Sequence, residues 1–254
     1  MDKKIIKSVS YNQHEILYNI MNIHNNGKPF DCDMTYSKGN FYGTFKILGH
    51  NGCQEQIEIP TPKFKFDVCP ISDDIEKIEV DGELPLENKS ISSIVVDLPF
   101  VISPPNAPSM RKNPINEDGS KNNIIARRFA SYYPVYTLIN SYFHWMEECY
   151  RVLDSDGIVI WKCQNGITGG KYLPSEELSW LFAEQCGFEV IDKFTLVSKQ
   201  RLISGKIKVQ QHSRNFSSVF WVFKKSRKKA IKYFNTIDFS TAKNFGNKLY
   251  NNWI

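Results

Sequence analysis

Asp97 ends an apolar run, Ser92-Ser93-Ile94-Val95-Val96, and is followed at once by Leu98-Pro99-Phe100. A carboxylate at the end of a buried strand, beside a proline and an aromatic ring, offers a hydrogen-bond acceptor next to a flat apolar surface. Ligands of open α/β sheets collect beyond the carboxyl ends of the strands, which makes Asp97 the first candidate for chemistry. Three further acids stand in comparable surroundings. Asp33 opens Asp33-Met34-Thr35-Tyr36-Ser37-Lys38-Gly39-Asn40-Phe41-Tyr42, Asp67 closes Phe64-Lys65-Phe66, and Asp81 precedes Leu84-Pro85.

The elements that position these acids follow from hydrophobic pattern and turn chemistry. Ile16, Leu17, Ile20 and Ile23 recur at helical spacing and stop at Asn25-Asn26-Gly27, which predicts a helix over 12–24, with a strand after Pro29. Phe45 to Ile59, turning at Gly49, Asn51 and Gly52, reads as a hairpin insertion. Short strands are expected at Phe64–Val68 and Ile78–Asp81, and a buried one at Ser92–Val96. The stretch Val101 to Arg128 is rich in Pro, Asn, Ser and charge, and is too long for an idle connection.

Pro134 is expected to start a helix whose stripe Val135, Leu138, Ile139, Tyr142, Phe143, Met146 and Cys149 runs into Val152-Leu153. Asp154-Ser155-Asp156-Gly157 should turn the chain into a buried strand, Ile158–Cys163, before a helix over Pro174–Cys186 closed by Gly187. Phe188–Val197 and Ser217–Phe223 have no convincing helix between them, so they are expected to pair antiparallel. This alternation predicts an α/β fold with a largely parallel sheet.

Composition bounds the rest. With 254 residues, 41% hydrophobic and 23% charged, one domain over 1–254 is expected, carrying an inserted loop at 101–128 and a basic extension at 226–254. Lys and Arg outnumber Asp and Glu by 32 to 27, a net charge of +5 that permits a polyanionic partner without requiring one. The run Lys224-Lys225-Ser226-Arg227-Lys228-Lys229 reads equally as a solvated segment or a phosphate contact. Six cysteines are scattered without a C-x-x-C pair or a matching histidine cluster, so no metal site is expected. No apolar leader or bilayer-length segment is visible, and free thiols in a cytoplasmic protein, away from membranes, are the expectation.

Asp97-Leu98-Pro99-Phe100 resembles the Asp/Asn/Ser-Pro-Pro-Tyr/Phe/Trp signature of S-adenosylmethionine-dependent methyltransferases acting on exocyclic amino groups of nucleic-acid bases, with Leu98 replacing the first proline. Asp33 to Tyr42 is similar to the loop Asp-Pro-Thr-Tyr-Ser-Lys-Gly-x-Phe-Tyr of bacterial and phage DNA amino-methyltransferases, with Met34 replacing proline. The blocks Arg151-Val152-Leu153, Trp161-Lys162-Cys163-Gln164 and Gln210-Gln211-His212-Ser213-Arg214 resemble the same group. The resemblance spans roughly residues 30 to 225. It implies a Rossmann-like class I methyltransferase fold: a mostly parallel seven-stranded sheet with an antiparallel C-terminal hairpin strand.

The resemblance also implies roles. S-adenosyl-L-methionine would be held by the loop containing Asp33, Thr35, Tyr36, Gly39 and Phe41, with Asp33 meeting the ammonium and Gly39 allowing close backbone approach. Asp67 would accept the ribose hydroxyls, and Asp81 the adenine amino group, with Leu84 flanking the ring. In the catalytic loop Asp97 and the following backbone carbonyl would accept the target amino group, Pro99 would shape the turn, and Phe100 would stack on the base. Such chemistry needs an extruded or single-stranded nucleotide. In the loop over 101–128, Arg111, Arg127 and Arg128 read equally as phosphate contacts or as charged surface, and His212 and Arg214, just before the final strand, read as substrate contacts, with a surface histidine the other reading of His212.

The implied activity is methyl transfer to adenine N6 or cytosine N4 in DNA. An RNA base methyltransferase is the nearest alternative. A catalytically weakened subunit that binds the cofactor and nucleic acid is another, motivated by Met34 and Leu98; a homodimer and a partner-subunit arrangement both stay open.

Overall fold

In a computed structural model the described residues are 5–48, 53–102, 132, 135–168, 171–199, 212–213 and 215–226. They form one large mixed sheet flanked by helices. In chain order the elements are β1 (Val9–Ser10), α1 (Gln13–His24), β2 (Cys32–Asp33), β3 (Gly43–Leu48), β4 (Gln54–Ile59), β5 (Phe64–Asp67), β6 (Glu76–Lys77) and β7 (Ile91–Val96). They continue with α2 (Val135–Val152), β8 (Leu153–Cys163), β9 (Gly166–Thr168), β10 (Lys171–Leu173), α3 (Ser175–Cys186), β11 (Phe188–Val197) and β12 (Ser217–Lys225).

The eight-stranded sheet runs β1-β11-β12-β8-β7-β2-β5-β6. Every pairing is parallel except those of β12, which lies antiparallel between β11 and β8. The α/β class, the largely parallel sheet and the antiparallel closing pair therefore match expectation. One strand more than expected is present, because Val9–Ser10 pairs with Thr195–Leu196 at the edge. Two residues are too few for a pattern to announce.

Both faces of the sheet are covered, which explains the apolar runs 94–96 and 158–161 of its central strands. Ile94, Val96, Val159 and Trp161 point into a core completed by α2 and α3 through Leu138, Tyr142, Met146, Leu178 and Phe182. Val95, Ile158, Ile160, Phe220 and Val222 face the other way, towards Ile16, Leu17 and Ile20 of α1. Asn12 caps α1 by accepting the His14 N–H at 2.9 Å, and Gly27, at φ +70°, returns its N–H to Met21 O. The β3–β4 hairpin stacks Phe45 on His14.

Three expectations need correction. The strand placed at Ile78–Asp81 lies at Glu76–Lys77 instead, because β5 ends at Asp67 and supplies only one more acceptor, to Ile78 N; the chain then turns through Glu79–Gly82 with Asp81 at φ +55°. Asp154–Gly157 is a bulge within β8 and not a separate turn, since Ile91 pairs with Leu153 but Ser93 with Ile158. Ile23 of the α1 stripe is exposed, not buried. The 101–128 loop beyond Ile102, the turn at 49–52 and the basic extension beyond Ser226 lie outside the described residues.

No helix among the described residues is long and apolar enough to cross a membrane. All six cysteines are free thiols, with Cys32, Cys149 and Cys163 in the core.

Candidate active site

The sheet changes direction at one place. From β2 the chain builds outward through β5 and β6, then returns to the other side of β2 with β7 and continues through β8. The β2/β7 junction is therefore the topological switch point, where adjoining connections diverge and leave a crevice beyond the strand ends. Asp33 ends β2, Asp97 directly follows β7, and Asp67 ends β5 on the far side of β2. Adjacent strands lie about 4.8 Å apart, so the three acids stand on neighbouring strand ends spaced across about 10 Å.

The loop after β2 ties these ends together. Met34 N donates to Val95 O of β7, while Tyr36 N donates to Phe66 O of β5. Ser37 N donates to Asp67 Oδ2 at 2.9 Å, and Cys69 N to Asp67 Oδ1 at 2.7 Å. Ser37 and Gly39 sit at φ +51° and +64°. At Gly39 the φ of +64° favours glycine, and a Cβ there would stand 2.5 Å from the Tyr36 hydroxyl, so that ring would have to shift. Farther back, Asp31 Oδ2 accepts the N–H groups of Ser92 and Ser93, fixing the register of β2 against β7.

Asp33 is only 1% exposed. Its Oδ1 accepts the Thr35 N–H at 2.8 Å and the Thr35 hydroxyl at 3.1 Å, and its Oδ2 accepts the Tyr42 hydroxyl at 2.6 Å. Burial pushes its carboxyl up to about 7 against the lowering effect of those hydrogen bonds, with the charge of Asp97 adding to the rise. Tyr42 is raised well above the ordinary tyrosine value, chiefly by burial and then by Asp33. Asp33 thus organises its loop from within.

Asp97 is held from both flanks. Its N–H donates to Thr35 Oγ1 at 2.8 Å, and its Oδ2 accepts Lys162 Nζ of β8 at 2.8 Å. Lys162 lies over the rings of Phe41 and Phe220, 5.1 and 5.6 Å from their centroids. Phe41 belongs to the buried core, where it supports Lys162. Leu98, 3% exposed, plugs the opposite core, while Pro99 and Phe100 are half-buried and Pro99 O accepts the Tyr142 hydroxyl at 3.4 Å. Met34 is buried in the same core as Leu98. Both departures from proline are therefore apolar anchors, each full burial contributing about 2 kcal/mol.

The third flank is built by α2. Ser141 donates to Asp81 Oδ1 and itself accepts from Tyr132. Glu148 Oε2 accepts the Leu84 N–H, while Arg151 donates to Leu84 O, Leu86 O and both oxygens of Glu148. Burial alone would raise Glu148, but the hydrogen bonds from Arg151 and Leu84 outweigh it and hold the carboxyl below the usual range. The turn bearing Asp81 and Leu84 is thereby clamped to α2.

The predicted residues Asp33, Thr35, Tyr36, Gly39, Asp67 and Asp97 to Phe100 come together around the switch point, with Asp81 and Leu84 on the α2-anchored turn. His212 is exposed in the segment before β12. Arg111, Arg127, Arg128 and Arg214 lie outside the described residues. Sequence reasoning assigned no role to Lys162, Tyr42, Ser141 or Glu148. Lys162 had a signal: a lone cation near the carboxyl end of the otherwise apolar run Ile158–Cys163.

Among the described residues no group of three or more His, Cys, Asp or Glu is arranged to hold a metal ion. Asp67 and Asp97, both partly exposed, keep acceptor capacity at their strand ends, whereas Asp33, 1% exposed with its oxygens engaged by Thr35 and Tyr42, is not placed to meet a ligand's ammonium as the resemblance implied. Neither a family model nor a curated protein matches the chain.

Proposed function

We propose that the chain is an S-adenosylmethionine-dependent methyltransferase that modifies an exocyclic base amino group in DNA, adenine N6 or cytosine N4. The observation that carries this reading is the position of Asp97-Leu98-Pro99-Phe100 beyond β7 at the switch point, joined through Thr35 to the Asp33 loop. The order of the seven strands from β11 to β6, with β12 reversed, supports a Rossmann-like class I methyltransferase fold.

The acceptor set fits the cofactor. Asp67 is half-buried, and each of its oxygens takes one backbone N–H, which leaves lone pairs for the two ribose hydroxyls. Asp81, oriented by Ser141, suits the adenine amino group, with buried Leu84 beside the ring. At 1% exposure, Asp33 fits as the anchor of the loop that receives the methionine tail, with Thr35, Tyr36 and Gly39 forming its backbone path. When bound, the cofactor supplies a methyl group on a sulfonium, a good leaving group.

The protein's part is to present the nitrogen. Asp97 accepts one N–H of the target amino group and the Leu98 carbonyl accepts the other, drawing the nitrogen towards a geometry whose lone pair points at the methyl carbon. Phe100 stacks on the base, which leaves the duplex to reach it. Held there, the nitrogen would take the methyl group by its lone pair, the departing thioether keeping the electrons of the broken carbon–sulfur bond. The excess proton on nitrogen passes to Asp97 and then to water.

The test incubates purified protein with methyl-labelled S-adenosylmethionine and unmethylated genomic DNA, with total RNA in parallel, followed by digestion to nucleosides. N6-methyladenine or N4-methylcytosine from DNA is expected. Label in RNA alone moves the activity to RNA, and no label in either, with the cofactor bound, leaves a binding subunit.

A further inference from the structure

We infer that Lys162 is a positioning residue for Asp97, holding one carboxylate oxygen so that the other meets the amino group of the incoming base. The inference rests on the function proposed above and adds a residue to that site. Lys162 Nζ donates to Oδ2 at 2.8 Å, whereas among the described residues Oδ1 accepts no hydrogen bond. The carboxylate therefore has one oxygen anchored and one available.

The anchor is itself confined. The Lys162 side chain is 14% exposed, against 26% for Asp97, and its ammonium lies over the faces of Phe41 and Phe220. Phe41 comes from the loop after β2 and Phe220 from β12, so two neighbouring elements fix the cation that orients Asp97. The Thr35 hydroxyl fixes the backbone of the same residue from the β2 side. Without Lys162 the backbone restraint stays, but the carboxylate is free to rotate about its side-chain bonds. Its acceptor then no longer points reliably at the nitrogen that must attack.

Such a loss of alignment strikes turnover and not binding. In Lys162→Met, kcat should fall about a hundredfold, the scale of a small misplacement at a reacting centre. KM for DNA should stay near the parental value, because the lost restraint acts on the reacting nitrogen and leaves the remaining nucleic-acid contacts in place. Lys162→Arg keeps a cationic donor and should restore part of the turnover, though its planar fork approaches Asp97 differently.

The experiment measures methyl transfer by the parent, Lys162→Met and Lys162→Arg, with S-adenosylmethionine affinity by calorimetry and DNA affinity by fluorescence anisotropy. Unchanged affinities, a lower kcat in the methionine variant and partial recovery in the arginine variant support the assignment. Parental kcat in Lys162→Met overturns it while the proposed function stands. If Lys162→Met does not fold, Lys162→Gln, which keeps a polar end and drops the charge, takes its place with the same expectations. A parent that methylates neither DNA nor RNA overturns the proposed function, and the role of Lys162 falls with it.

Discussion

Thr35 Oγ1 accepts the backbone N–H of Asp97 at 2.8 Å while its own hydroxyl proton goes to Asp33 Oδ1 at 3.1 Å. One hydroxyl thus joins the acid that organises the β2 loop to the acid that ends β7. The two strand ends are thereby joined by a side chain in addition to the backbone pairing of β2 with β7.

Replacing Thr35 with valine preserves shape and removes both hydrogen bonds. The Asp97 N–H loses its partner, which should cost about 1–3 kcal/mol. Urea unfolding of Thr35→Val against Thr35→Ser measures this: the serine variant should stay near the parent, and equal stability of all three would show the bridge contributes nothing.

Asp33 should make stability fall as pH rises. Its folded carboxyl titrates at about 7 against an ordinary 3.8, chiefly through burial, so between these values the folded protein keeps a proton that the unfolded chain releases. The contribution is full below the unfolded value, declines through the folded one, and reaches up to about 4 kcal/mol. Asp33→Asn mimics the protonated form. Its stability relative to the parent should therefore be higher at about pH 8 than at about pH 5, as urea midpoints at both will show.

Gly39→Ala should disturb Tyr36. The φ of +64° alone costs an alanine about 1–2 kcal/mol, and its Cβ would meet the Tyr36 ring and hydroxyl at 2.5–3.0 Å. The expected result is a lower unfolding midpoint together with weaker S-adenosylmethionine binding, because the displaced ring lies in the loop proposed to receive the methionine tail. Undiminished cofactor affinity would remove this loop from the site.

Asp97→Ala and Asp81→Ala should separate the two halves of the site. The former should lose turnover by at least about a hundredfold with cofactor affinity retained, the scale expected of a group that orients the reacting atoms. The latter should mainly weaken the cofactor, because Asp81 reaches no reacting atom in the proposed arrangement. Calorimetry with S-adenosylmethionine and methyl incorporation, run on both proteins, will tell them apart; an active Asp97→Ala protein removes Asp97 from the catalytic role.

Much of this was legible in the chain itself. The apolar runs 94–96 and 158–161 pointed to a sheet covered on both faces, and Gly27 and Gly187 ended their helices as expected. Asp33, Asp67 and Asp97 were recognisable because an acid that closes an apolar run stands out locally. The misplaced strand at Ile78 shows where local reading stops: its bounds depend on where the partner β5 ends, which residues 76–81 do not encode.

What only the tertiary structure decided is how the acids are held. Thr35 and Asp97 are 62 residues apart, Lys162 and Asp97 65, and Leu84 and Glu148 64. No pattern in one segment can announce a partner so distant, since the pairing depends on strand order and on which elements the crossovers bring side by side. The sequence by itself marked the acids that close apolar runs and the elements on which they ride. Packing around the β2/β7 junction decided that Asp33 is buried, that Phe41 supports a cation and that Lys162 meets Asp97, because burial and charge pairing are properties of the assembled sheet.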